Sequence, residues 1–254
     1  MSSAELEFAP TRLSHQFEEL AQQTDTYLVG MWVFLVTEIM FFGVLFVTLT
    51  IYRANYGPDF EEAHTALNVW LGLLNTFNLL TSSFFMAMGV RAKTLNKNRQ
   101  ALVWIGLTIL CAFGFLVVKY FEYSAEIRDH HFPGPTFRWE QKSASLPMLP
   151  AGSTLQNMST LASSDIASRP GYQTQVLSQH PKQLFFSLYF VMTGLHGVHV
   201  IVGILILSTM WFLLKRRHPC MDDYIPLEMA GLYWHFVDIV WIFLFPLIYL
   251  VGRQ

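Results

Sequence analysis

Five long apolar runs, separated by polar segments of unequal length, dominate the chain; they fall at about 27–52, 66–90, 101–125, 184–214 and 229–251. Each is long enough to carry a helix across a hydrocarbon core, which takes roughly 20 residues. The pattern therefore predicts an all-α, polytopic membrane protein, a bundle of five transmembrane helices. Residues 1–26 read as a polar extramembrane tail, interrupted by Pro10, with one short surface helix around 14–23, and residues 27–254 as the membrane domain. The segment 126–182 carries Pro133, Gly134 and Pro135 and a Ser/Thr-rich middle, and reads as a long loop. A connection of that length without structure of its own is either functional or disordered.

Charge between the runs sets the expected orientation. Arg91, Lys93, Lys97 and Arg99 lie between spans two and three, and Lys215, Arg216 and Arg217 between spans four and five. Basic residues in short loops mark the cytoplasmic side. The N-terminus is accordingly expected inside, with the C-terminus and the 126–182 loop outside. No basic stretch followed by a short apolar core precedes span one, so insertion is expected to rely on the spans themselves.

Composition sharpens the class. Charged residues make up 13% of the 254 and hydrophobic ones 53%, against about 25% charged in a soluble domain. A net charge of −2 gives no reason to expect nucleic acid as a partner. Cys111 lies within a span and Cys220 in a short loop, which suggests no disulfide framework. Neither sits in a C-x-x-C or C-x-x-C-H pattern, so covalent haem and thiolate copper have no ligands here. Nor is there an internal repeat of the inverted-transporter kind.

The candidate chemistry is the set of ionisable side chains inside the spans: Glu38, Glu122, His196, His199, His235 and Asp238. Glu38 lies about 16 Å along the first span, near mid-membrane. Such residues are costly in lipid unless paired or facing protein, and mark functional or packing sites. His235 and Asp238 are three apart and share a helical face, as do His196 and His199. Lys119 and Glu122 are spaced to pair. Span two has no charge but carries Asn68, Asn75, Thr76, Asn78, Thr81, Ser82 and Ser83, groups that bridge helices in lipid. Three readings stay open. The ionisable groups pair with one another and with span two to fix helix packing; or Glu38 takes up and releases protons within the bilayer; or a carboxylate–histidine cluster of Glu38, Glu122, His196, His199 and His235 binds a metal. The Glu-x-x-His spacing of helical-bundle metal sites is missing, so no metal ligand and no catalytic residue is assigned. Gly106, Gly114, Gly194, Gly197 and Gly203 would let helices approach closely, and Trp211, Trp234 and Trp241 read as packing or interface aromatics.

Several runs, in order, resemble subunit III of the haem-copper cytochrome c oxidases: TEIMFF at 37–42, LNT at 74–76, KYFEY at 119–123, GLHGVHVIVG at 194–203 and GLYWHFVDIVWIFLFPLIYL at 231–250. The resemblance spans all five runs and is to the shorter, five-helix bacterial type. It implies a non-catalytic subunit of a proton-pumping oxidase, without a cofactor of its own, packed against catalytic subunit I and copper-binding subunit II, which hold the haem and copper. It further implies bound phospholipid, support of proton uptake, protection of the oxidase during turnover, and a place in the bacterial inner membrane. The family's carbodiimide-reactive glutamate falls on Glu38, its second acidic position on Glu122 and its histidine pair on His196 and His199. The missing first helix pair removes one wall of the family's lipid cleft. Segment 126–182 departs from the common pattern and is expected to contact a partner such as cytochrome c or a neighbouring complex. Alternatives are the subunit III-like proteins of quinol oxidases or nitric oxide reductases, a free-standing proton transporter built on Glu38 and Asp238, and a membrane di-metal oxidase.

Overall fold

A computed structural model describes residues 17–128, 170–218, 221 and 223–250. In order these form α1 (Leu20–Asn55), α2 (Gly57–Ala66), α3 (Val69–Thr94), α4 (Asn98–Arg128), α5 (Pro170–Lys215) and α6 (Ile225–Phe245), with a π-helical turn at Pro246–Leu250. Five helical stretches are long and apolar enough to cross a membrane: Ala21–Asn55, Val69–Thr94, Asn98–Arg128, His180–Lys215 and Ile225–Leu250. The chain is an all-helical, multi-pass membrane protein.

Local sequence explains where the helices stop. Asn68 caps α3, its side chain accepting from the Trp70 N–H at 3.0 Å, a role for which Asn is well suited. At the other end Asn96 takes φ 54°, with Asn96 N–H donating to Lys93 O and Lys97 N–H to Ala92 O, both at 2.9 Å. That is a Schellman closure, and Asn tolerates the left-handed conformation it requires. The end of α5 closes the same way through Arg217 at φ 50°, with Arg217 N–H on Leu214 O and His218 N–H on Leu213 O. The α3–α4 connection is thus a tight turn, and at both helix ends the basic residues lie directly against the ends of the spans.

Helices α3, α4, α5 and α6 form a closed ring in which each packs on the next and α6 returns to α3. Helix α6 is the most enclosed: 61% of its apolar window is buried, against 17% for α1. Trp234 and Trp241 of α6 are fully buried, and each indole N–H finds a hydroxyl on α3, Ser82 Oγ and Thr76 Oγ1, both at 3.1 Å. Trp211 of α5 donates to the Leu102 carbonyl of α4 at 3.0 Å. Buried indoles need such partners, and these three tie the ring together. Gly203 lets α5 approach α6 closely, since a Cβ there would sit 2.7 Å from the Trp234 ring. Gly197, by contrast, faces open space.

Outside the ring, α1 leans on α5 and α6. The short α2 caps one end, burying Phe60, Ala63 and Leu67. There the His64 ring Nδ1 hydrogen-bonds the Ile248 carbonyl, which the end of the chain's last helix leaves free, and Lys182 pairs with Glu62.

Three boundaries differ from the sequence reading. Helix α1 begins at Leu20, inside the segment read as a tail, as one continuous rod rather than a separate surface helix. Helix α2 occupies a stretch read as a connection. Its signal was present, since Pro58 in the first turn and Asp59 beside it start a helix well. Residues 126–128 and 170–182 of the supposed loop belong to α4 and α5; its middle, 129–169, lies outside the described residues, as do residues 1–16.

Candidate functional site

The six ionisable residues do not form one site. The structure distributes them over three regions, and only two contain an ionisable pair.

Glu38 of α1 and His199 of α5 meet across the α1–α5 seam, with His199 Nε2 3.2 Å from Glu38 Oε2. The other ring nitrogen, Nδ1, lies 2.8 Å from the Leu195 carbonyl. A carbonyl only accepts, so Nδ1 carries a hydrogen. Nε2 then either accepts from a protonated Glu38 or, as part of an imidazolium, donates to the carboxylate. Phe42, fully buried, packs edge-on against the imidazole at 5.3 Å, and Tyr233 donates to the His199 carbonyl at 3.1 Å. The pair is not sealed: the side chains retain 22% and 19% exposure. His199 also lines a groove of about 530 Å³ between α1, α5 and α6, whose walls include Met31, Phe34, Val202, Met229 and Tyr233.

Glu122 sits in a second, closed network near the far end of α4. Lys119 Nζ is 3.0 Å from Glu122 Oε2 and donates to Tyr249 Oη at 2.7 Å. Tyr189 Oη donates to Glu122 Oε1 at 2.9 Å, and Tyr249 Oη donates to the same oxygen. All four residues are buried. The ammonium also lies 4.7 Å from the Trp241 ring centroid, a favourable cation–π position. The network joins α4, α5 and the C-terminal turn. The Lys119–Glu122 pairing follows from sequence spacing, but the two tyrosines that complete it are invisible there, because each comes from a different helix.

The third place is α6. Its helical spacing puts His235 and Asp238 on one face, yet they are not partners. His235 Nδ1 lies 2.7 Å from Ser83 Oγ of α3. Asp238 is 2% exposed, and neither carboxyl oxygen has a hydrogen bond among the described residues. The Ser83 hydroxyl is near enough to Asp238 to interact with it, but the geometry of a hydrogen bond is met only toward His235. His196 is likewise buried and unpartnered at both nitrogens among the described residues; its ring lies between Phe115 at 5.5 Å and Trp241 at 5.2 Å. So His196 and His199, three apart, diverge: one enters the aromatic core and the other meets α1. Among the described residues no group of three His, Cys, Asp or Glu side chains converges as metal ligands. Chemically, the arrangement offers one accessible proton-sharing pair, one locked ion pair and a set of buried polar groups inside the ring.

Comparison with known proteins bears on what such a bundle does. A family model for cytochrome c oxidase subunit III matches residues 177–253. The cytochrome c oxidase subunit 3 of Synechocystis sp. is 31% identical over 228 residues, covering 89% of this chain and 76% of its own. That of Thermostichus vulcanus is 27% identical over 233 residues, covering 91% and 90%. The quinol oxidase subunit 3 of Bacillus subtilis is 27% identical over 225 residues, covering 89% and 87%.

Proposed function

Because this chain belongs to the cytochrome c oxidase subunit III family, we propose that it serves a proton-pumping haem-copper oxidase as a non-catalytic subunit, guarding proton supply to the partner that reduces oxygen. The observation that carries this reading is the Glu38–His199 pair. It joins two ionisable side chains within the spans, and the His199 side of it opens to a groove through which a proton could be exchanged. The Lys119–Glu122 network is buried and bonded across three elements, which suits a structural role.

In this reading the chain packs against catalytic subunit I and copper-binding subunit II, which supply the haem and copper chemistry, and the groove between α1, α5 and α6 holds phospholipid chains. It lies in a bacterial inner membrane with its basic loops inside, its N-terminus cytoplasmic and its C-terminus outside. Relatives named for both electron donors align at similar identity, so the donor is a property of the complex it joins.

The test is Glu38→Ala in the intact oxidase. Haem content and initial turnover should match the parent, while the number of turnovers before inactivation falls severalfold. An unchanged turnover lifetime would sink the proposal. Native purification through a C-terminal tag, with a reduced-minus-oxidised spectrum, assigns the donor; a colourless chain running alone from membranes that retain the oxidase would favour a free-standing transporter.

A further inference from the structure

His235 has a second nitrogen that nothing among the described residues uses. Its Nδ1 is engaged with Ser83, while Nε2 has no partner among the described residues. Unlike the nitrogens of His196, it is not sealed into the interior. The imidazole lines a groove of about 400 Å³ between α1 and α6, whose other walls are apolar: Trp32, Ile39 and Phe46 from α1, and Leu232, Ile239 and Phe243 from α6. Ile239 is 51% and Phe243 61% exposed, and the space in front of Gly43 is open. Along α1 the groove runs from Trp32 to Phe46, about 21 Å at the helical rise. A long, open trough of this kind accepts a ridge of side chains from a neighbouring helix better than a compact small molecule.

Depth decides between the candidate occupants. His235 lies ten residues beyond Ile225 in a span that ends at Leu250, about 15 Å from the start of the helix. A hydrogen-bonding nitrogen left facing hydrocarbon at that depth is costly. Lipid chains offer it nothing, since their ester oxygens lie at the interface. A protein helix can supply a hydroxyl or carboxamide at mid-membrane. Either ring tautomer of His235 is accommodated, because Ser, Thr, Asn and Gln side chains both donate and accept. We infer that the α1–α6 groove seats a transmembrane helix of another oxidase subunit, held in register by a hydrogen bond from a Ser, Thr, Asn or Gln side chain to His235 Nε2. The inference rests on this chain's association with oxidase subunits and adds the face through which it occurs.

The experiment places the photo-crosslinking residue benzoylphenylalanine at Ile239 and irradiates native membranes before any detergent is added, with adducts identified by peptide mass spectrometry. Adducts to a transmembrane segment of an oxidase subunit support the inference. Adducts only to phospholipid, only to a second copy of this chain, or none at all overturn it, whether or not the chain later co-purifies with haem. The hydrogen bond is tested by retention of the chain on the oxidase in mild detergent. His235→Leu should lower retention about threefold or more, as expected for one interhelical hydrogen bond in lipid, and His235→Gln should restore most of it. Ser83→Ala, which breaks only the internal contact, should retain the chain better than His235→Leu. Equal loss in Ser83→Ala and His235→Leu would assign His235 to internal packing alone and overturn the hydrogen-bond claim.

Discussion

The α3–α6 ring and the α1 helix solve the same problem, holding apolar rods together in lipid, by opposite means. In the ring, the indole N–H groups of Trp211, Trp234 and Trp241 each find a hydroxyl or carbonyl, and Lys119, Glu122, Tyr189 and Tyr249 bond one another in a buried network. Helix α1 meets the ring through the contact of Glu38 with His199 and has grooves on both flanks. In lipid no hydrophobic driving force favours helix over acyl chain, so packing and hydrogen bonds decide association. The ring is therefore a rigid frame, whereas α1 is an outrigger whose position depends on one proton-sharing pair and on whatever fills its grooves. Rigidity and proton chemistry are kept apart.

The sharpest way to break this contrast is to attack the frame. Glu122→Ala strands the Lys119 ammonium and two tyrosine hydroxyls inside the ring. Breaking a buried ion pair from one side typically costs about 3–5 kcal/mol. The expected outcome is a chain that fails to accumulate or melts well below the parent, measured by thermal unfolding of the purified complex. Glu122→Gln, which keeps acceptors for the tyrosines but not the charge, should fall between. A parent-like melting point for Glu122→Ala would show that the ring does not depend on this network. Gly203→Val drives a branched side chain into Trp234 and should cost about 1–3 kcal/mol as overpacking, read in the same melting experiment. Asp238→Asn should move the melting point little, because neither Asp238 oxygen holds a hydrogen bond that the change would remove and the amide keeps the volume. A large loss would mean that the carboxyl, specifically, is bonded in the assembled oxidase.

How much of this was readable beforehand follows a physical divide. The five spans were legible because hydrophobic length is a local property, and so was the Lys119–Glu122 pairing, which lies within one helix. The shared helical face of His235 and Asp238 does not make them partners, for a complementary reason. Shared face is also local, but Ser83 on another helix competes for the imidazole, and only the packing of α3 on α6 reveals it. Glu38 meeting His199 has the same character. Both residues stood out as buried ionisable groups, yet their union 161 positions apart in sequence needed the ring to turn His199 outward while His196 turned in. Helix α2 escaped notice because its apolar residues are few, although Phe60, Ala63 and Leu67 recur at helical spacing.

The smallest expected change in stability is the most informative about mechanism. Interhelical hydrogen bonds in membranes average about 0.6 kcal/mol, so loss of the Glu38–His199 contact should leave the frame's melting point nearly unaltered. That insensitivity separates two roles that Glu38→Ala alone would confuse, the placing of α1 and the handling of a proton. Glu38→Gln keeps a group that donates to His199 Nε2 and so preserves the seam, but the amide takes up and releases no proton. If the pair acts by sharing a proton, Glu38→Gln should shorten the turnover lifetime as severely as Glu38→Ala. If it acts only by placing α1, Glu38→Gln should restore the parent lifetime while Glu38→Ala does not. Counting turnovers to inactivation for the two variants side by side, at matched haem content, decides whether the outrigger is held by its proton or merely by its bond.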